Sequence, residues 1–191
     1  MATEELTTYH PKDRKAWRRW LEKNYAKSPG IWLIYYKKGS GKQRLDYNDA
    51  VEEALCFGWI DSTTRPIDNE KYMQRFTPRK PKSGWSAINK RRIEKLMAQK
   101  LMTKPGLEKI EEAQKNGSWR NLDHIDAIQL PDDVIKALSK NKKAKTNFQN
   151  FPPYVKKQFL YRINAAKRPE TRKARVEFLI RMAALNKKPT M

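Results

Sequence analysis

The chain of 191 residues carries 42 Lys and Arg against 21 Asp and Glu, a net charge of +21, with 38% hydrophobic and 10% aromatic residues. That suffices for one ordinary domain and a smaller companion, and no apolar run approaches the roughly 20 residues of a membrane span. A single cysteine, Cys56, excludes an intramolecular disulfide and a multi-cysteine metal site, and neither metal nor cofactor is expected.

The opening "MATEELTTYHPKD" is acidic and polar, unlike a secretory leader, so a cytoplasmic location is expected. "DRKAWRRWLEKNY" sets Trp17, Trp20, Leu21 and Tyr25 near one helical face. "GIWLIYYKK" is β-branched and aromatic after Gly30 and reads as a strand. "KKGSGKQ" is a turn that lacks the spacing of a phosphate-binding loop. "DYNDAVEEALCFG" starts on Asp46, carries apolar positions at helical spacing and stops at Gly58. Glu52 and Glu53 within it are adjacent and should point to different helix faces. "WIDSTTRPI" and "YMQRFTPR", separated by "DNEK", predict a hairpin. "SAINKRRIEKLMAQK" and "KPGLEKIEEAQKNGSW" predict two helices, the second with Pro early and Gly past its end.

Residues 121–130 read as a polar connector. Beyond them, "PDDVIKALSKN", "PPYVKKQFLYRINAAK" and "PETRKARVEFLIRMAALNKK" predict three helices. Residues 134–191 hold 16 basic residues against Glu170 and Glu177, a field that concentrates polyanions. Eight of those cations (Lys156, Lys157, Arg162, Lys167, Arg168, Arg172, Lys173 and Arg175) could meet phosphates, with few groups to read bases. Weak, salt-sensitive, sequence-independent nucleic-acid binding is the expectation.

The hairpin holds the densest chemistry. With Ile67 opposite Tyr72, Asp61 faces Pro78, Thr63 faces Phe76 and Arg65 faces Gln74. Trp59, Asp61 and Arg65 then share one sheet face, and Ser62, Arg75 and Arg79 the other. Guanidinium forks and hydroxyls beside aromatic rings suit a planar or anionic ligand, and suit a polar packing seam equally well. No pair of carboxylates converges, and His10 and His124 lie apart. If the protein is an enzyme, on an anionic small molecule, Asp61 is the candidate acid/base. Cys56, near a helix C-terminus, reads as a core residue.

The pieces "WRRWLEKNY", "YNDAVEEALCFGWIDS", "RFTPRKPKSGWSAIN", "MTKPGLEKIEEAQKNGSW" and "INAAKRPETRKAR" resemble the YdeI/OmpD-associated, or bacteriocin-protection, family. Lys100 departs from the family pattern, which has Gly there. The resemblance implies an α+β first domain similar to the YjbR/CyaY-like fold, and a role in resistance to bacteriocins and cationic antimicrobial peptides. It also implies an association with outer-membrane porins; because a charge of +21 repels cationic peptides, the expected partner is an anionic ligand or an envelope- or porin-related protein. Trp59, Asp61, Ser62, Arg65, Arg75, Arg79, Trp85, Ser86 and Asn89 match its motifs and form the candidate binding site, with no catalytic role or cofactor implied.

The resulting expectation is an α+β fold. An α+β domain over 1–120, with a small antiparallel sheet (about 31–38, 59–67 and 72–79) packed by helices, precedes the connector 121–130 and a basic helical subdomain over 131–191. The function expected is that of a non-enzymatic binding protein.

Overall fold

The computed structural model describes residues 6–189 and forms two compact units, one ending at Asn121 and one starting at Leu122. The first unit is α+β. Strand β1 (Thr8–Tyr9) leads into helix α1 (Arg14–Asn24), whose N-cap Asp13 accepts from the Ala16 amide at 2.6 Å. Strand β2 (Ile31–Tyr36), helix α2 (Tyr47–Cys56), the hairpin β3 (Trp59–Pro66) and β4 (Lys71–Pro78), and helices α3 (Ala87–Ala98) and α4 (Lys104–Lys115) follow.

The sheet order is β1-β2-β4-β3, antiparallel except that β1 lies parallel to β2 at one edge. That edge strand falls in residues the sequence offered no strand pattern for: two residues are too few to show alternation. The inner sheet face carries Ile31, Leu33, Tyr35 and Phe76, all at most 1% exposed. Trp17 from α1 meets Phe76 edge-on at 5.6 Å, and its indole N–H donates to the Ala50 carbonyl of α2 at 3.0 Å. One sheet face is therefore buried under helices while the alternate residues of β2 stay half-exposed.

The hairpin register differs from the expectation. Trp59 faces Pro78 and Asp61 faces Phe76, whereas nearer the tip Thr64 faces Gln74 and Arg65 faces Met73. Between these pairs, Ser62 and Thr63 both stand opposite Arg75, which is a β-bulge. The extra residue reverses the alternation, so Arg65 leaves the Trp59/Asp61 face and joins Arg75 on the outer one. Residue types alone do not announce such an insertion.

Glu52 and Glu53 also correct the sequence reading. Both are buried on α2, and both converge on Arg14 of α1. The guanidinium contacts Glu53 Oε1 at 2.6 Å, Asp49 Oδ1 at 2.7 Å and Glu52 Oε2 at 3.0 Å. Arg18 reaches Glu53 Oε2 at 2.8 Å, and Lys95 of α3 reaches Glu52 Oε1 at 2.8 Å. Three carboxylates and three cations thus tie α1, α2 and α3 together. Adjacent side chains can share one partner because Arg14 spans both with separate nitrogens.

Helix α4 closes the unit from the C-terminal end of α2. Thr103 Oγ1 donates to the Cys56 carbonyl at 2.5 Å, filling one of the acceptors that a helix leaves open. Gly106 then lies so close that an added Cβ would sit 2.2 Å from that same oxygen. Lys100 takes φ +56° in the αL region, and the Leu101 amide returns to Leu96 O at 3.0 Å. The helix stop is of the kind Gly favours, reached here by Lys at a strain cost of about 1 kcal/mol.

The second unit is helical. The stretch expected as a connector holds the short helix α5 (Asp123–Asp126), in which Ile125 is buried. Four helices follow, α6 (Asp132–Ser139), α7 (Lys142–Asn150), α8 (Pro153–Asn164) and α9 (Pro169–Ala184), where the sequence suggested three segments. The missed helix α7 has a proper start, with Asn141 Oδ1 accepting from the Ala144 amide at 2.9 Å. It buries only Ala144 and Phe148, too thin a stripe to stand out among lysines. Leu138, Phe148, Phe159, Ile163 and Leu179 lie in this unit's core.

Candidate functional site

Of the nine motif residues, Trp59, Arg79 and Trp85 are buried, Asp61, Ser86 and Asn89 are partly buried, and Ser62, Arg65 and Arg75 are exposed. Trp59 is 1% exposed and its indole donates to the Tyr25 carbonyl at 3.1 Å. Arg79 is 4% exposed, lies with its guanidinium carbon 3.5 Å from the centre of the Trp85 ring, and donates to the Gly84 carbonyl. Trp85 in turn packs on Trp119 at 5.1 Å. This layering joins "PRKPKSGWS" to "NGSW", and the Pro81 carbonyl accepts from Asn116 Nδ2 at 2.8 Å and Ser118 Oγ at 3.2 Å. These conspicuous motifs therefore lock the 79–86 loop against the end of α4. Cation–π stacking on the Trp85 ring offsets part of the cost of burying the Arg79 guanidinium.

Ser86 is the N-cap of α3 and accepts from the Asn89 amide at 3.3 Å, while Asn89 Oδ1 accepts from Arg92 at 2.8 Å. Asp61 is held on the inner side of the hairpin. Its Oδ2 accepts from Gln74 Nε2 at 2.6 Å and from the Tyr47 hydroxyl at 2.9 Å. Burial, then the Asp61 charge, push the Tyr47 hydroxyl up to about 12, so it stays a donor at neutral pH. Sequence reasoning missed both partners, although Tyr47 lies in the quoted "YNDAVEEA". Neither Ser, Cys nor His is among the groups bonded to Asp61, and the arrangement positions β3 against α2.

Ser62, Arg65 and Arg75 form the exposed group. Ser62, Arg75 and Arg79, with Pro29, Thr77, Pro78, Lys80 and Pro81, line a depression of about 470 Å³. Among the described residues, three cations and no carboxylate line it. Neither Trp59 nor Trp85 lines its wall, and Arg65 lies elsewhere, 4.8 Å over the ring of Trp32. Lys80 and Trp32 are further additions to the candidate set; their signal was a Lys beside the motif arginine and a Trp at an outward position of β2.

Among the described residues, no group of three His, Cys, Asp or Glu could hold a metal ion. Cys56 is fully buried, and burial first, with Glu53 second, pushes its thiol up to about 11. It should resist a maleimide in the native state at pH 7.5 and react at once in denaturant. Rapid labelling of native protein would contradict the buried, protonated thiol. Because the folded value exceeds the ordinary thiol value of about 8.5, this contribution to stability is complete below that pH and lost as pH rises toward the folded value.

Residues 9–109, just over half of the chain, match the family model described as Domain of unknown function (DUF8412), and residues 127–186 match Bacteriocin-protection, YdeI or OmpD-Associated. Three of the motif pieces, "WRRWLEKNY", "YNDAVEEALCFGWIDS" and "RFTPRKPKSGWSAIN", lie inside the first match, and "INAAKRPETRKAR" inside the second. No curated protein and no solved structure matches the chain, so the YjbR/CyaY-like likeness has no structural counterpart beside it. The chain belongs to the DUF8412 family and carries a YdeI/OmpD-associated, bacteriocin-protection domain at residues 127–186.

Proposed function

We propose that this protein is a non-enzymatic cytoplasmic binding protein of the bacteriocin-protection type, taking an anionic ligand on the exposed side of the 59–78 hairpin. The observation carrying this reading is the depression lined by Arg75, Arg79, Lys80 and the Ser62 hydroxyl. Fixed guanidinium groups and a hydroxyl are the donors a phosphate or carboxylate needs. Asp61, already bonded to Tyr47 and Gln74, does not line the depression, which supports binding over acid/base chemistry. A net charge of +21 repels cationic peptides, so protection by sequestering them is physically unfavourable. An anionic ligand or an envelope-related partner fits the charge better.

Nucleic-acid contact through the basic helices of residues 134–191 is the weaker reading. Lys157 is bonded to Asp126 at 2.9 Å and Arg172 to Asp133 at 2.7 Å, while Lys156 and Arg175 donate to backbone carbonyls.

Titration calorimetry with sodium pyrophosphate at low ionic strength tests the proposal. Saturable binding is expected, weakened about tenfold in Arg75→Ala, because a charge-assisted hydrogen bond contributes about 1.5–3 kcal/mol. Arg75 is exposed, so the variant should melt like the parent. Absence of binding by pyrophosphate, phosphate and citrate alike would remove the site.

A further inference from the structure

The outer face of the sheet is built differently from the inner one. Trp32 and Tyr36 stand on it from β2, and both are only half-buried. The β-bulge delivers Arg65 to the same face, with its guanidinium carbon 4.8 Å from the Trp32 ring centre. Lys71 from β4 and Lys42 from the turn after β2 approach Tyr36 at 5.7 and 5.0 Å. Arg75 is paired with Trp32 in the ladder, and it also lines the anion depression at the edge of this face. No Asp or Glu occupies an outward position of β2, β3 or β4; Glu70, at the hairpin tip, is bonded to Lys42 at 2.7 Å.

We infer that this face is a platform for single-stranded nucleic acid, whose phosphates enter the Arg75 depression and whose bases stack on Trp32 and Tyr36. The inference rests on the anion-site reading above and extends it to a ligand class. Two chemical features select the occupant. A solely anionic partner needs cations but has no use for flat rings, and an apolar partner needs rings but is opposed by the surrounding cations. An unpaired nucleotide strand offers both a charged backbone and a π-face at every base. Four-stranded sheets that bind RNA stack two or three bases on aromatic residues of one face. Trp32 and Tyr36 are four residues apart on one strand, about 13 Å, which spaces two stacking positions along the chain. Arg65 lies 4.8 Å over the Trp32 ring, so this exposed side chain swings aside when a base takes its place on the indole. A duplex hides its base faces and can use only the cations.

The test uses the full chain and a fluorescein-labelled uridine 12-mer, followed by anisotropy over a salt series. Duplex RNA of the same length and heparin serve as comparison polyanions. The 12-mer should bind more tightly than either, and Trp32→Ala and Tyr36→Ala should each weaken it at least about fivefold, since stacking of one base is worth about that much or more. Trp32→Phe should recover most of the loss, which separates stacking from misfolding. A triple change of Lys167, Arg168 and Lys173 to Glu should leave preference for the single strand intact. If the aromatic variants bind the 12-mer like the parent, or heparin and duplex bind as tightly, the platform is refuted. Pyrophosphate binding that survives that result, with its Arg75 dependence, keeps the anion site standing alone. Loss of pyrophosphate binding removes both.

Discussion

Arg14→Ala is expected to lower the unfolding free energy by about 3 kcal/mol, to be checked by urea denaturation of the full chain. Removing one partner of a buried ion pair typically costs about 3–5 kcal/mol, because the other charge stays desolvated. Arg14 serves two carboxylates, Glu52 and Glu53, whose side chains are only 7% and 4% exposed. The low end of the range applies, since Lys95 still reaches Glu52 and Arg18 still reaches Glu53. The decisive comparison is a double change. Arg14→Met with Glu53→Gln removes one charge of each sign and should recover part of the loss. A single variant as stable as the parent would mean that the three carboxylates are not confined as the distances imply. An Arg18→Ala variant should cost less, because Arg18 touches Glu53 and an outer glutamate, Glu22, that is half in solvent.

Gly106→Ala is the second large effect, and its sign opposes helix propensity. In an exposed helix, Gly→Ala stabilises by about 1 kcal/mol. Here the new methyl would stand 2.2 Å from the Cys56 oxygen, 2.7 Å from its carbonyl carbon and 2.8 Å from the Leu55 oxygen. All three are backbone atoms, so no side chain can swing aside. The first turn of α4 must lift off α2, straining the Thr103 bond to Cys56 O. Overpacking of this kind costs about 1–3 kcal/mol or more, so a net loss of about 2–3 kcal/mol is expected. Melting temperature should fall by roughly 5 °C or more. Lys104→Ala, on the exposed side of the same turn, should change stability by less than about 0.5 kcal/mol. A Gly106→Ala protein that melts higher than the parent would show that α4 does not seat at this distance.

The motif-rich segment at 59–89 owes its appearance mainly to packing. Its aromatics mostly build the unit: Trp59 fills the core, and Trp85 with Trp119 shelters Arg79. The side chains left for binding are the less conspicuous ones, Ser62, Arg75 and Lys80, and the outward residues of β2.

Much of the framework was legible from local chemistry. Asp46 and Gly58 bracket α2, "IWLIYY" is a β-branched and aromatic run after Gly30, and Pro-led starts mark α4, α8 and α9. Such signals arise within a few residues, because helix caps, turn geometry and side-chain period are local properties. The sequence by itself thus determined an α+β unit followed by basic helices, and the segment where the motif residues gather. Only the tertiary structure decided which of those residues face solvent. The bulge at Ser62–Thr63 depends on how β3 fits β4, and that one extra residue moves Arg65 to the outer face. The convergence of Glu52 and Glu53 depends on Arg14, some 40 residues earlier in the chain, arriving above both. Arg79 is buried because Trp85, on a returning loop, covers it. Register, ion partners and stacking are set by contacts between distant segments, and residue spacing along one segment carries no record of them.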